Sequence, residues 1–183
     1  MKHDRAPMRE PFALARMPVG CAMTVLDAQI VQAPVRTIFD IVKSVEHWPG
    51  YLEHYRYVRF RERAYDGGGL VEMSAYRPFG PVGWPTWWQA HMTVDQKAPS
   101  VRFRHVGGMT TGMDVEWGFT PVEDGRATHV KVLHVWDGPE WPLIGVVAAT
   151  QVIGPVFIRG IASRTLAGLA AVAERDAAKS SGR

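Results

Sequence analysis

The sequence predicts an α+β domain: an antiparallel sheet of six to seven strands packed on one long C-terminal helix, with two short helices after the first strand. Three observations predict it. Trp141 to Glu174 is the only stretch long enough for a helix that spans a domain, and from Gly154 onward its faces separate at a period of 3.6. Between Leu70 and Trp136, runs of alternating apolar and polar residues are divided by short turns, the pattern of an antiparallel meander. Ahead of these, one strand-like run precedes helical spacing at Val35, Ile38, Phe39 and Val42.

Composition bounds the class. A chain of 183 residues makes one domain with some extra at its ends. Seven tryptophans are an excess for this length, which points to a large core or an aromatic-lined cavity. The net charge of +3 is spread without a Lys/Arg run, which argues against a nucleic-acid partner. Cys21 is the only cysteine; it excludes an internal disulfide and a cysteine-rich metal site, and fits a reducing, cytoplasmic setting. Leu143 to Ile153 is apolar almost all round but far short of the roughly 20 residues that cross a bilayer, so no transmembrane helix is expected.

The elements follow in order. Residues 1–21 carry six charged groups and three prolines without an apolar run, and read as a flexible extension rather than a secretory signal. The domain proper is expected over 22–176, and 177–183 as a disordered tail. Val25 to Gln32 is a strand that ends at Ala33-Pro34, and Pro34 suits the start of a helix. Ser44 can cap a second short helix through Trp48-Pro49-Gly50-Tyr51-Leu52. Tyr55 to Arg63 is extended, and Asp66-Gly67-Gly68-Gly69 signals a hairpin. Leu70 to Arg77 and Trp87 to Asp95 flank a Pro- and Gly-rich loop, 78–85. Val101 to Val106, Met113 to Thr120 and Ala127 to Trp136 complete the meander.

The strand faces are readable. Trp88, Ala90, Met92 and Val94 oppose Gln89, His91, Thr93 and Asp95; Val101, Phe103 and His105 oppose Arg102 and Arg104; Met113, Val115, Trp117 and Phe119 oppose Asp114 and Glu116. One face is therefore wet and one covered, and the long helix is the element able to cover it. Phe157, Ile158, Ile161, Thr165, Leu169 and Val172 form its inward side. Gly154 and Gly168 lie on that side and leave room for a close approach, and Gly154-Pro155 should kink the helix.

Three stretches now carry a likeness: Ala33 through Asp40, Trp48 through Tyr55, and Arg164-Thr165-Leu166 through Glu174. With the order of elements, they make residues 23–175 resemble the START/Bet v 1-like (SRPBCC) superfamily, in its bacterial polyketide cyclase/dehydrase branch. The resemblance implies a helix-grip fold, in which a curved sheet grips the helix around a deep apolar cavity for polyketides, sterols, lipids or quinones. It also implies an activity, since aromatase/cyclases of the family fold a poly-β-ketone and assist aldol closure and dehydration. That chemistry needs a donor for an enolate and a group that moves a proton. By position, Trp48, Tyr55 and Trp88 match pocket residues of these cyclases. Ala90 and Met92 stand where the cyclases carry a serine and an arginine, and His54 stands in place of a glutamate.

The candidate site follows from parity and position. Trp88, Met92, Phe103, Met113, Trp117 and Val132 share the covered face, opposite Phe157, Ile161 and Leu169; with Trp48 they are the ligand-binding candidates. Tyr55, His105 and His134 are the acid/base candidates, because imidazole shuttles protons near neutral pH. The alternative for each histidine is a hydrogen-bonded core residue. His91 has the opposite parity and should face solvent. No two histidines sit at ligand spacing on one face, so no metal is expected. Gly67-Gly68-Gly69 opens no helix and is no phosphate cradle, so no cofactor is expected. Phe79 to Trp88 gathers five large apolar side chains without a charge; folded back it is a lid, and exposed it is a protein or membrane contact. Three functions stay open: a cyclase/dehydrase (aromatase)-like enzyme, a carrier of unaltered lipid or quinone, and an interaction module. The oligomeric state is open too, a homodimer included.

Overall fold

The computed structural model describes residues 6–79, 82–138 and 159–181. Alternation builds its sheet. In chain order the elements are β1 (Met8–Arg9), β2 (Met23–Val31), α1 (Val35–Lys43), a 3-10 turn (Val45–His47), α2 (Trp48–Tyr51), β3 (Tyr55–Ala64), β4 (Gly69–Phe79), β5 (Val82–Asp95), β6 (Ser100–Gly108), β7 (Asp114–Val122), β8 (Ala127–Trp136) and α3 (Arg159–Ser181). One sheet runs β1-β3-β4-β5-β6-β7-β8-β2, and every pairing is antiparallel except β1 with β3. This is the expected helix-grip fold, with one strand more than the six to seven foreseen.

Register turns alternation into a wall. Met92, Phe103, Val115, His134 and Val25 form one continuous row across β5, β6, β7, β8 and β2. All five are buried. The 3.6 period of α1 is realised likewise, with Ile38, Phe39 and Val42 buried. Ser44 does not cap the following turn; its hydroxyl donates to Asp40 O at 2.7 Å, which satisfies a carbonyl left open at the end of α1. On α3, Thr165, Leu166, Leu169, Ala170 and Ala173 are buried. Gly168 is the close approach its sequence position suggests: a Cβ there would lie 2.2 Å from Leu52 Cδ2. The first half of the foreseen helix, with Phe157 and the Gly154-Pro155 kink, lies outside the described residues.

Four expectations need correction. The extension is seated rather than free: Met8 and Arg9 pair with Arg63 and Ala64, and Arg63 N donates to Pro7 O at 2.8 Å. The cause is the edge of β3, whose backbone groups want partners. Phe12 stacks on His91 with centroids 3.7 Å apart, and Arg9 lies 3.8 Å over the Phe12 ring. His91 is thus half-covered, and burial first, then Arg9, lowers its pKa. The C-terminal tail is helical through Ser181, where an alanine-rich sequence favours helix and Ser180 donates back to Asp176 O. Of the stretch read as a loop, 78–79 and 82–85 continue the pairing of β4 with β5, with Tyr76 opposite Pro85 and Phe79 opposite Val82; 80–81 lie outside the described residues. Prolines are tolerated there because β3 pairing stops at Ala75 and β6 pairing at Trp88, so the arm's outer edges require no donors.

Candidate functional site

A cavity lies between the inner sheet face, α2 and α3, with about 80 Å³ open to a water-sized molecule. Its wall is lined by Trp48, Tyr55, Met73, Thr86, Trp88, Phe103, His105, Thr110, Met113, Val115, Trp117, His134, Ile161, Ala162 and Thr165. None of these carries a permanent charge. The rings form a connected series: Trp48 meets Tyr55 edge-on at 5.4 Å and Trp117 at 5.9 Å, Tyr55 meets Trp88 at 6.2 Å, and Trp88 stacks on His105 at 6.0 Å. Such offset and edge-on contacts hold the rings rigidly.

The structure brings together most of the residues that the sequence singled out. Trp48, Trp88, Phe103, Met113, Trp117 and Ile161 line the cavity, as do Tyr55, His105 and His134. Met92, Val132 and Leu169 do not. They face inward but are fully buried in side-chain packing, because parity fixes a face and says nothing of depth. Met73, Thr86, Thr110, Val115, Ala162 and Thr165 were not among the candidates. Val115 and Thr165 lay on the correct faces and gave a signal; Thr86 and Thr110 sit in stretches that read as turns.

Two polar clusters flank the rings. The first joins β3 to α3. Thr165 Oγ1 donates to Ile161 O at 2.7 Å and lies 3.1 Å from His54 Nε2 and 3.5 Å from Tyr55 Oη. A hydroxyl has one proton, so with that proton on Ile161 O the His54 bond is donated by Nε2–H. Burial pushes the Tyr55 hydroxyl up to about 12, against a smaller opposing pull from Thr165. Burial, then Arg164, lowers the pKa of His54.

The second cluster joins β6, its turn and β8. His105 Nδ1 is 2.6 Å from Thr110 Oγ1. His134 Nδ1 is fully buried without a hydrogen-bond partner among the described residues. Burial drives both imidazoles down, to about 3 for His105, helped by His134 and Arg104, and to about 4 for His134. Tyr55, His105 and His134 are therefore all uncharged near neutral pH. Ala90 lies opposite His105, and Met92 opposite Phe103. No group of three His, Cys, Asp or Glu among the described residues could hold a metal ion, and no described helix is long and apolar enough to cross a membrane.

A sheet gripping a helix across an aromatic cavity defines the START/Bet v 1-like superfamily. Residues 31–154 match the model of the family described as polyketide cyclase / dehydrase and lipid transport, and the chain belongs to that family. No curated protein matches the sequence. Among solved structures, the Zhui aromatase/cyclase from a Streptomyces species is similar at 17% identity and a TM-score of 0.71, over 84% of this chain and 94% of that one. A START superfamily protein from Mycobacterium smegmatis is 16% identical with a TM-score of 0.61, over 85% and 97%. A point mutant of norcoclaurine synthase from Thalictrum is 13% identical with a TM-score of 0.62, over 84% and 95%. At these identities the likeness is one of fold.

Proposed function

We propose that this protein binds a hydrophobic, carbonyl-bearing small molecule in its cavity and acts on it as a polyketide cyclase/dehydrase (aromatase)-like enzyme. One observation carries the reading. Tyr55 from β3, His105 from β6 and His134 from β8 reach a single aromatic-walled cavity, and burial holds all three uncharged. Aldol closure and dehydration ask for such groups, which hold a carbonyl oxygen and handle protons without fixing a charge in the cavity. The alternative is carriage of a lipid or quinone without change, which the chargeless, ring-lined wall favours.

The experiment that separates them begins with native mass spectrometry of the purified protein to identify a bound molecule, which is then offered as substrate. For an enzyme, Tyr55→Phe and His134→Ala should retain binding and lower turnover by about 100- to 10,000-fold. A tightly bound molecule that is never altered, or variants that turn it over like the parent, would sink the enzyme reading and leave the carrier.

A further inference from the structure

The hydrogens on the two cavity histidines can be placed from their neighbours. His134 Nδ1 is buried and unpartnered among the described residues. A neutral imidazole carries one N–H. An orphaned buried N–H is rarer and costlier than an unused acceptor, so the lone pair sits on Nδ1 and the proton on Nε2. The ring is 8% exposed and lines the cavity, and with Nδ1 sealed it is the Nε2 edge that meets the open space.

His105 reaches the same form by another route. Its Nδ1 faces the buried Thr110 hydroxyl, which has no other acceptor among the described residues. Donation from Thr110 to Nδ1 satisfies both atoms; the reverse would strand the hydroxyl proton. Nε2 of His105 then carries the N–H, and no described residue accepts it. Burial keeps both rings neutral, and Arg104, one residue away, lies in an ion pair with Asp114 on the other face.

We infer that His105 and His134 form a paired N–H donor site for the oxygen of a ketone or 1,3-diketone, and that the pair favours the enolate form of that oxygen. The rings lie diagonally across β7, with His134 opposite Val115 and His105 bonded by its backbone N to Met113 O. Fixed donors in a water-poor space stabilise developing negative charge on oxygen far better than water does. β5 offers Met92 where the resemblance implies an arginine; β6 and β8 supply neutral donors instead. The inference rests on the reading that the cavity takes a carbonyl-bearing ligand.

Benzoylacetone tests it, since this aromatic 1,3-diketone and its enolate absorb at different wavelengths. On ionising it gives its proton to the buffer. Apolar burial alone raises its pKa, because burial disfavours the charged form. With the full chain, the bound diketone should instead ionise below its free pKa, its enolate-to-neutral ratio at a given pH rising about tenfold, the equivalent of one pKa unit. His134→Phe should abolish that gain. A raised pKa on binding, or a gain that survives His134→Phe, overturns the donor pair and leaves ligand binding intact. No binding at all overturns the ligand reading, and the pair with it. Nitrogen-15 NMR of the histidine rings in the unliganded parent checks the tautomers without any variant: both should be neutral with the proton on Nε2, and a proton on either Nδ1 overturns the inference.

Discussion

Arg104 and His105 are adjacent on β6 and meet opposite worlds. Arg104 points outward and forms an ion pair with Asp114, whose side chain is only 6% exposed. His105 points inward, has a hydroxyl for company, and is neutral. The same contrast runs across the sheet. Outside, Arg102 pairs with Glu116 at 3.3 Å and Arg61 with Glu72 at 2.9 Å. Burial alone would raise the Glu72 pKa, but the bonds from Arg61 and Gln89 outweigh it and lower it. Inside, no counter-charge offsets burial and the Thr165 bond to Tyr55 is too weak to do so, so Tyr55, His105 and His134 keep their uncharged forms. The outer charges keep part of their solvent and have a counter-charge; the inner groups have neither, and both differences act in the same direction.

The largest test of the contrast removes a ring from the inner face. Trp117→Ala should cost about 3–5 kcal/mol, because it leaves a hole in the wall of the cavity. Urea unfolding measures it, and a loss below that of any outer-face substitution would break the contrast.

Acid should come next. The folded pKa values of His105 and His134, about 3 and about 4, lie below the ordinary value of 6.5. Between those limits the unfolded chain binds protons that the folded one refuses. Stability is thus complete above pH 6.5 and falls as pH drops toward 4, by up to about 1.4 kcal/mol per pH unit for each ring. The double variant His105→Phe/His134→Phe should show a shallower slope in a series of unfolding curves. An equal slope would mean the rings are not held neutral by the fold.

Asp114→Asn probes the outer face at its most buried pair and should cost about 1–3 kcal/mol, since it leaves Arg104 without its counter-charge. Arg9→Ala is the smallest change. The Arg9–Glu62 pair is 42% and 37% exposed, and its loss should stay within about 1 kcal/mol by thermal melting. A larger loss would show that Arg9 holds β1 through its contact with Phe12.

The sheet was legible because its signal is periodic: Met113, Val115 and Trp117 alternate with Asp114 and Glu116, and each took the face that alternation assigns. α1 was legible for the same reason. The site was legible as a face and not as a volume. Met92 and Phe103 read alike in sequence, yet only Phe103 borders the cavity. Thr110 and Thr165 act through single hydroxyls whose partners lie five residues away on a turn or more than a hundred along the chain, and no local pattern announces them. β1 pairs through two residues, too few for any period to show.

The β4–β5 arm has a kinetic consequence. Its outer edges find no neighbouring strand among the described residues, so its amide protons should exchange with solvent through a small, inexpensive opening well below the free energy of global unfolding. Thr86 and Trp88, at the root of that arm, are also cavity wall. Opening of this arm therefore loosens the container, and a guest should come and go on the timescale of a fraying ribbon while the domain stays folded. Hydrogen exchange of the backbone from Tyr76 to Trp88, set beside the release rate of a bound molecule, would show the two clocks running together.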